Sequence, residues 1–336
     1  MKFAIIGAGR MGLRHIAVAK SLGFEIVGVC DPSDAATESA LNKHELGADV
    51  AFKSVPEMLS SVKPEALVVA STAPSHCKYV CDGAAARIRF ILCEKPMAAS
   101  LQECNRMIEA CRESGTVLGV NHQMRYMEQY TRVKQFAQSS EFGGLQSMTV
   151  AASNIGFSMN GSHYFEAFRF LTDEKVIAVS AWLDKARLAN PRGVQYEDRS
   201  GQLRGISSTG KRLYMEMGAD LGHGLQVVYG CRNGQIFSDQ LSGTLRLSRR
   251  QKQYAELPTA QYGMPADEET ITIPPADVIV STRLLWQDLL SNGQFPDGSC
   301  GRYTVSGVIA ANISGEMDGA PVRLDSVSQD RVFAWA

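Results

Sequence analysis

Over its first 120 residues the chain alternates unbroken apolar runs with stretches of helical periodicity. The runs at 3–6, 25–30, 66–71, 89–93 and 117–120 read as strands. They lack polar alternation, the mark of parallel strands covered on both faces. The stretches 11–22, 33–46, 56–62, 76–86 and 101–113 read as helices. Ser100 and Glu103 form a capping box ahead of the last of these, and Gly115 sits where a helix C-cap is wanted. Repeated strand–helix–strand units imply a right-handed, doubly wound parallel sheet.

After about residue 121 the texture changes. A helical pattern at 127–137 ends at Gly143 and Gly144. Longer alternating segments follow at 146–152, 176–183, 211–217, 226–231 and 244–247, broken by turn residues such as Arg232, Asn233 and Gly234. Helices are expected at 163–171, 283–290 and 303–316. The fold class is therefore α/β: a Rossmann domain over 1–121, then an α+β domain over 122–336 on a large, mostly antiparallel, open-faced sheet. The closing helix around 303–316 is a candidate to pack back on the first domain.

Composition narrows the class. With 336 residues, 45% apolar and 21% charged, a two-domain globular chain is expected. Lys plus Arg total 34 against 35 for Asp plus Glu, with no basic cluster, so a nucleic-acid or anionic-membrane footprint is missing. No apolar run reaches the ~18 residues a membrane span needs. The opening run stops at Gly9 and Arg10, which favours a buried first strand over a leader. Eight cysteines at 30, 77, 81, 93, 104, 111, 231 and 300 have no zinc-type spacing and lie mostly in apolar runs. They read as reduced core thiols of a cytoplasmic protein. No His, Asp and Glu set suggests a metal.

Gly7, Ala8, Gly9, Arg10, Met11 and Gly12 match G-x-G-x-x-G, with a strand running into the motif and a helix opening from it. Gly7 permits the tight turn, Gly9 the approach of a pyrophosphate, and Gly12 close helix–strand packing. The helix N-terminus then offers N–H groups and a positive dipole end. Asp31 ends the second strand, where a carboxylate grips the ribose hydroxyls of NAD. A 2′-phosphate there would meet like charge, so NAD is favoured over NADP, although Arg10 is placed to accept a phosphate. Two further segments close predicted strands on the ligand-binding edge: Ser71, Thr72, Ala73, Pro74, Ser75 and His76, and then Glu94, Lys95 and Pro96.

These motifs, with 121–126 (Asn-His-Gln-Met-Arg-Tyr) and 161–166 (Gly-Ser-His-Tyr-Phe-Glu), resemble the Gfo/Idh/MocA family of glucose–fructose oxidoreductase, inositol 2-dehydrogenase and rhizopine-catabolism proteins. The resemblance implies an NAD(H)-dependent oxidoreductase acting on a secondary alcohol or ketone of a sugar, polyol or sugar derivative. It implies catalytic roles for Lys95, which contacts cofactor and substrate hydroxyl, and for His163 as general acid/base. The implied cofactor set is Gly7 to Gly12, Asp31, Ser71, Thr72, Pro74, His76, Glu94, Lys95 and Asn121; Arg125, Asn160 and Glu166 are substrate candidates. Substrate is expected between the sheet edge and the second domain.

One departure stands out. The family's aspartate four residues before the histidine is here Met159, which has neither its charge nor its acceptor atoms. Altered substrate geometry, weakened catalysis, or a dinucleotide-binding sensor without turnover each fit that change; a separate reading is an enzyme that retains its cofactor and recycles it or eliminates a group through a transient ketone. The expected partners are a small carbohydrate-like molecule and a second copy, as homodimer or homotetramer through the second-domain sheet. The polar cluster Asn190, Pro191, Arg192, Gly193, Glu197, Asp198 and Arg199 reads as a solvated loop, and His15, His44 and His223 as surface or packed histidines.

Overall fold

The computed structural model describes residues 1–335 other than 154, 187, 189, 191, 192, 197, 219, 223, 255 and 258–260. Pro191, Arg192, Glu197 and His223 thus lie outside the described residues. The chain divides into two compact units. The first comprises Met1–Gln123, Asp277–Val305 and Ser328–Ala336; the second comprises Met124–Ala276 and Ser306–Val327.

In the first unit the strands are β1 (Lys2–Ile6), β2 (Glu25–Cys30), β3 (Ala51–Phe52), β4 (Ala66–Val69), β5 (Phe90–Cys93) and β6 (Val117–Val120). They form one sheet in the order β3-β2-β1-β4-β5-β6, parallel throughout. The order reverses between β1 and β4, the position at which open α/β sheets bind ligands. The central strands are buried on both faces, which is why their sequences are continuous apolar runs. The connecting helices are α1 (Arg10–Ser21), α2 (Asp34–His44), α3 (Val55–Val62), α4 (Ala73–Ala85) and α5 (Leu101–Ser114). Ser100 Oγ accepts the Glu103 N–H at 3.2 Å, the Glu103 carboxylate accepts the Ala99 N–H, and Gly115 ends α5 at φ 75°.

The short β3 has only two residues and no hydrophobic run to mark it. Asp277–Val305 returns to the first unit for a packing reason. Trp286 on α8 (Val278–Ser291) is fully buried against Phe3 and Phe24, its ring 6.3 and 5.8 Å from theirs. Pro296 O accepts the Val120 N–H at 2.8 Å, so this segment covers the β6 edge. The C-terminal segment adds Trp335, buried, whose Nε1 donates to Ala98 O at 3.0 Å.

The second unit is built on a nine-stranded sheet. Its strands are β7 (Leu145–Ser153), β8 (Val176–Leu183), β9 (Gly201–Ser207), β10 (Arg212–Gly218), β11 (Gln226–Cys231), β12 (Gly234–Asp239), β13 (Thr244–Arg250), β14 (Ala266–Thr272) and β15 (Val322–Arg323). The order is β14-β13-β12-β11-β7-β10-β9-β8-β15, antiparallel except for the parallel pair β7–β10. Leu213, Met215, Val150, Val227, Tyr229, Ile236 and Leu245 point to one buried face; α7 (Ser162–Thr172) packs on β7 and β8, and α6 (Glu128–Gln138) packs on α7. The opposite face carries Arg204, Tyr214, Thr149, Val228, Phe237 and Arg246 in one cross-strand row. The last helix, α9 (Gly298–Glu316), belongs to the first unit up to Val305 and to the second from Ser306. No described helix is long and apolar enough to cross a membrane.

Candidate active site

The glycine turn between β1 and α1 is shaped by main-chain contacts. Gly7 has φ 97°, and a Cβ there would lie 2.6 Å from Ala70 C and O. A Cβ on Gly12 would lie 2.0 Å from Gly7 O. Around Gly9, by contrast, a Cβ would meet no protein atom within 4 Å. The first two glycines are thus required by the fold itself, and the third keeps its outer side open. Gly9 is also the N-cap of α1 and has no side chain to satisfy the first N–H groups. A helix start of this kind suits an anion, so the turn fits the pyrophosphate of a dinucleotide.

Asp31, at the end of β2, is tied to this turn. Its Oδ2 accepts the Ala8 N–H at 2.7 Å and its Oδ1 the Ser33 N–H at 2.8 Å. Each oxygen keeps a further lone pair for a ribose hydroxyl. Arg10 is exposed at the start of α1.

At the end of β4, Thr72 occupies the N-cap position of α4 without a side-chain capping hydrogen bond, and Pro74 lies in the helix's first turn. Ser71 Oγ accepts from Ser75 Oγ at 2.7 Å. His76 is buried, with Nδ1 3.0 Å from Pro96 O and Nε2 3.0 Å from Ser71 O. Burial holds its pKa below the ordinary value. The neutral ring therefore donates to one of these carbonyls, pinning the segment after β4 or the segment after β5.

Lys95 follows β5, half-buried, with a cis bond to Pro96. The preceding Glu94 is fixed from three sides. Its Oε1 accepts from His15 Nε2 at 2.8 Å and from Asn121 Nδ2 at 2.7 Å, and its Oε2 accepts the Lys95 N–H at 3.2 Å. Burial pushes this carboxyl up, but the hydrogen bonds from His15 and Asn121 and the charges of His15 and Lys95 outweigh it and bring it down to about 2. Glu94 thus ties α1, β5 and the end of β6 into one frame beneath Lys95. Asn121 retains a buried Oδ1 with no partner, an acceptor aimed at nothing in the protein. His15 is packed, one of the two readings its sequence position allows, but nothing in that position announces a partner 79 residues away.

In the second unit a π-helical turn, Phe157–Gly161, runs directly into α7. His163 lies in the first turn of α7 and is buried. Asn160 is half-buried in the π turn. The turn is held from a distance by Asp198, itself buried, which accepts N–H groups of Ser158 (2.8 Å), Met159 (3.1 Å) and Arg199 (2.9 Å). Burial raises the Asp198 carboxyl above its usual range against the pull of these three donors. A Cβ on Gly156 would strike this carboxylate at 2.1 Å. The loop read as solvated therefore carries a buried anchor, which its polar composition concealed. Glu166 is buried too. Arg169 binds both its oxygens at 2.7 and 2.8 Å, and Arg125 Nη1 lies 3.4 Å from Oε1. Arg125 also lies over the Phe170 ring at 4.8 Å. Glu166 thereby fixes Arg125 within its own unit.

Residues 1–122 match the model of an oxidoreductase family with an NAD-binding Rossmann fold, Gfo/Idh/MocA. Residues 1–122 are thus similar to the NAD-binding domain of this oxidoreductase family. An inositol 2-dehydrogenase of Salmonella typhimurium is 28% identical over 147 residues, 43% of each chain. The match thus spans less than half the length of that relative. A myo-inositol 2-dehydrogenase of Thermotoga maritima is 22% identical over 73% of this chain and 77% of its own. Among solved structures, an oxidoreductase from Agrobacterium radiobacter, in complex with NAD+, L-tartaric acid and magnesium, superposes with a TM-score of 0.81. It is 17% identical and covers 97% of this chain and 99% of its own. The WlbA dehydrogenase from Bordetella pertussis, in complex with NADH and UDP-GlcNAcA, gives 0.74 at 20% identity, over 96% and 98%. These structures share the fold of both units.

Proposed function

We propose that the chain is an NAD(H)-dependent oxidoreductase of a secondary alcohol or ketone on a sugar, polyol or sugar derivative. The observation that carries this reading lies within the first unit. The open-sided Gly9, the ribose-side Asp31 and the braced Lys95 segment all stand at the carboxyl ends of strands of one sheet, around its reversal point. The dehydrogenase relatives support the polyol class. NAD, when bound, supplies the hydride acceptor or donor.

The chain's own residues do the rest. Gly7 to Gly12 and the start of α1 bind the diphosphate, and Asp31 binds the ribose. Ser71, Thr72, Pro74, His76 and Asn121 line the remainder of the cofactor edge, with Glu94 holding Lys95 in place. Lys95 stabilises negative charge that develops on the substrate oxygen. His163 takes that oxygen's proton in oxidation and returns it in reduction. Arg125 and Asn160 bind substrate polar groups, Arg125 being kept in position by Glu166.

Two variants test this assignment. Lys95→Met is expected to lower kcat about a thousandfold while NAD affinity stays within several fold. Near wild-type turnover would remove Lys95 from the chemistry. Asp31→Ala is expected to weaken NAD about tenfold and NADP much less, because the lost carboxylate repels a 2′-phosphate. Equal losses would reject the ribose role and the preference for NAD.

A sensor without turnover is the second reading, favoured by Met159 in place of the family's aspartate. It predicts retained NAD on purification and no nicotinamide reduction with any polyol, sugar or sugar nucleotide. We further propose a cytoplasmic homodimer or homotetramer joined through the outer face of the nine-stranded sheet, which carries Tyr214 and Phe237 and, further along, Trp182, 55% exposed. Sedimentation equilibrium showing a monomer would exclude the assembly.

A further inference from the structure

Between β5 and α5 the chain runs through Lys95, Pro96, Met97, Ala98, Ala99 and Ser100, all buried except Lys95. The carbonyls of Pro96, Met97, Ala98 and Ala99 lie outside any strand or helix, so each needs a donor from elsewhere. The first two are met from nearby. Pro96 O lies 3.0 Å from His76 Nδ1, and Met97 O accepts from Cys93 Sγ at 3.8 Å. The next two are met by the segment 328–335. Trp335 Nε1 donates to Ala98 O at 3.0 Å from 237 residues away, and the Phe333 N–H donates to Ala99 O at 3.2 Å.

The same segment holds the start of α5. Gln329 O accepts the Gln102 N–H at 2.7 Å, one of the N–H groups that have no partner inside the helix. The Gln329 side-chain oxygen accepts from Asn105 Nδ2 at 2.9 Å. Trp335 is 1% exposed, and its ring stacks on that of Phe333 with centroids 5.3 Å apart and planes 6° from parallel. Loop and segment both belong to the first unit.

We propose that Trp335 is a positioning residue for Lys95, a role that rests on Lys95 acting in the proposed reaction. The lysine's main chain is fixed on both sides. Ahead of it, the Glu94 carboxylate takes the Lys95 N–H. Behind it, only Pro96 and Met97 separate it from Ala98, and both are buried, the proline with its φ set by its own ring. A hold on Ala98 and Ala99 is therefore a hold on Lys95. Misplacing a reacting group by about 1 Å costs about a hundredfold in rate, so the clasp of 329–335 on this loop bears on the chemistry without touching substrate.

The test uses the whole chain as wild type, Trp335→Phe and Trp335→Ala, and needs no substrate. Hydrogen exchange is read by mass spectrometry over 96–102, with 25–30 on β2 as the standard, since β1 and β4 stand between β2 and β5. Trp335→Phe keeps a ring and loses the donor. Exchange over 96–102 should rise about tenfold, the factor expected when a buried carbonyl is left unpaired. Trp335→Ala also loses the stacked ring and should raise it further. Exchange over 25–30 should not move.

In the same three proteins, limiting N-hydroxysuccinimidyl acetate labels Lys95, counted on the peptide that carries it. The rate should rise severalfold in Trp335→Phe and more in Trp335→Ala, because a loosened loop lets the half-buried lysine into solvent. Faster loop exchange with unchanged Lys95 labelling would make the segment a packing element and overturn the positioning role. Equal acceleration over 25–30 would reduce its effect to general stability and overturn that role too. Unchanged exchange over 96–102 would deny the clasp itself. None of these readouts involves turnover, so they stand apart from Lys95→Met: persistent turnover in that variant rejects the chemical role of the lysine, whereas exchange and labelling judge the hold of Trp335 upon it.

Discussion

The glycine turn of the first unit and the π turn of the second are both short bends that open a helix, and they are held by opposite means. The glycine turn is chiefly a main-chain object: Gly12 packs on Gly7 O and Gly7 on the end of β4, and the Asp31 carboxylate accepts one N–H of it, that of Ala8. The π turn depends on one carboxylate, Asp198, delivered from 40 residues further along and buried on arrival. The first arrangement tolerates no added methyl group at its inner positions. The second tolerates no loss of charge. The difference is that a site can be pre-shaped either by removing side chains or by importing one, and only the first leaves a compact motif.

Three experiments press on this contrast. Asp198→Ala should have the largest effect, about 4 kcal/mol, because three N–H groups lose a charged acceptor in a buried place. Urea unfolding measures the loss. NAD affinity should be unchanged, and an equal fall in NAD binding would merge the two regions into one cooperative structure. Next comes acid. The Glu94 carboxyl lies near 2 in the folded chain against an ordinary 4.5, so its stabilisation is fully present above 4.5 and is lost as pH falls towards 2. The amount is on the order of 3 kcal/mol. Glu94→Gln should flatten stability across that window, and an unchanged acid limb would show that the His15 and Asn121 contacts do not matter to folding.

The finest test separates two glycines three positions apart, Gly9 and Gly12. Gly12→Ala should cost about 2 kcal/mol of stability through the clash with Gly7 O. Gly9→Ala meets no protein atom and should leave the melting temperature alone while weakening NAD about tenfold. Calorimetry and NAD titration read the two effects separately. A Gly9→Ala chain that binds NAD normally would remove this turn from the diphosphate site.

Much of the first unit was readable along the chain because its signals are local. Parallel strands buried on both faces need unbroken apolar runs, and β1, β2, β4, β5 and β6 have them. A strand that buries nothing has no such mark: β14 is exposed along almost its whole length, and no apolar pattern announces it. β12 exposes or half-exposes four of its six residues, and β9 carries glycines at its first and fifth positions. Neither presents a clean apolar alternation along the chain. The capping of α5 by Ser100 and the αL ending at Gly115 were legible because caps are written in adjacent residues.

The sequence by itself determined the kind of molecule: a doubly wound parallel sheet opening on a glycine turn, an antiparallel sheet after it, and the chemistry-bearing residues at the strand ends. Tertiary structure alone decided which side chains those residues lean on. His15 under Glu94, Asp198 under the π turn, the Arg125–Glu166–Arg169 cluster and the return of 277–305 to cover β6 all join distant parts of the chain. Apolar periodicity is repeated every few residues and survives reading in one dimension. A single buried hydrogen bond or ion pair between remote residues repeats nowhere, and only the folded chain brings its two halves within reach.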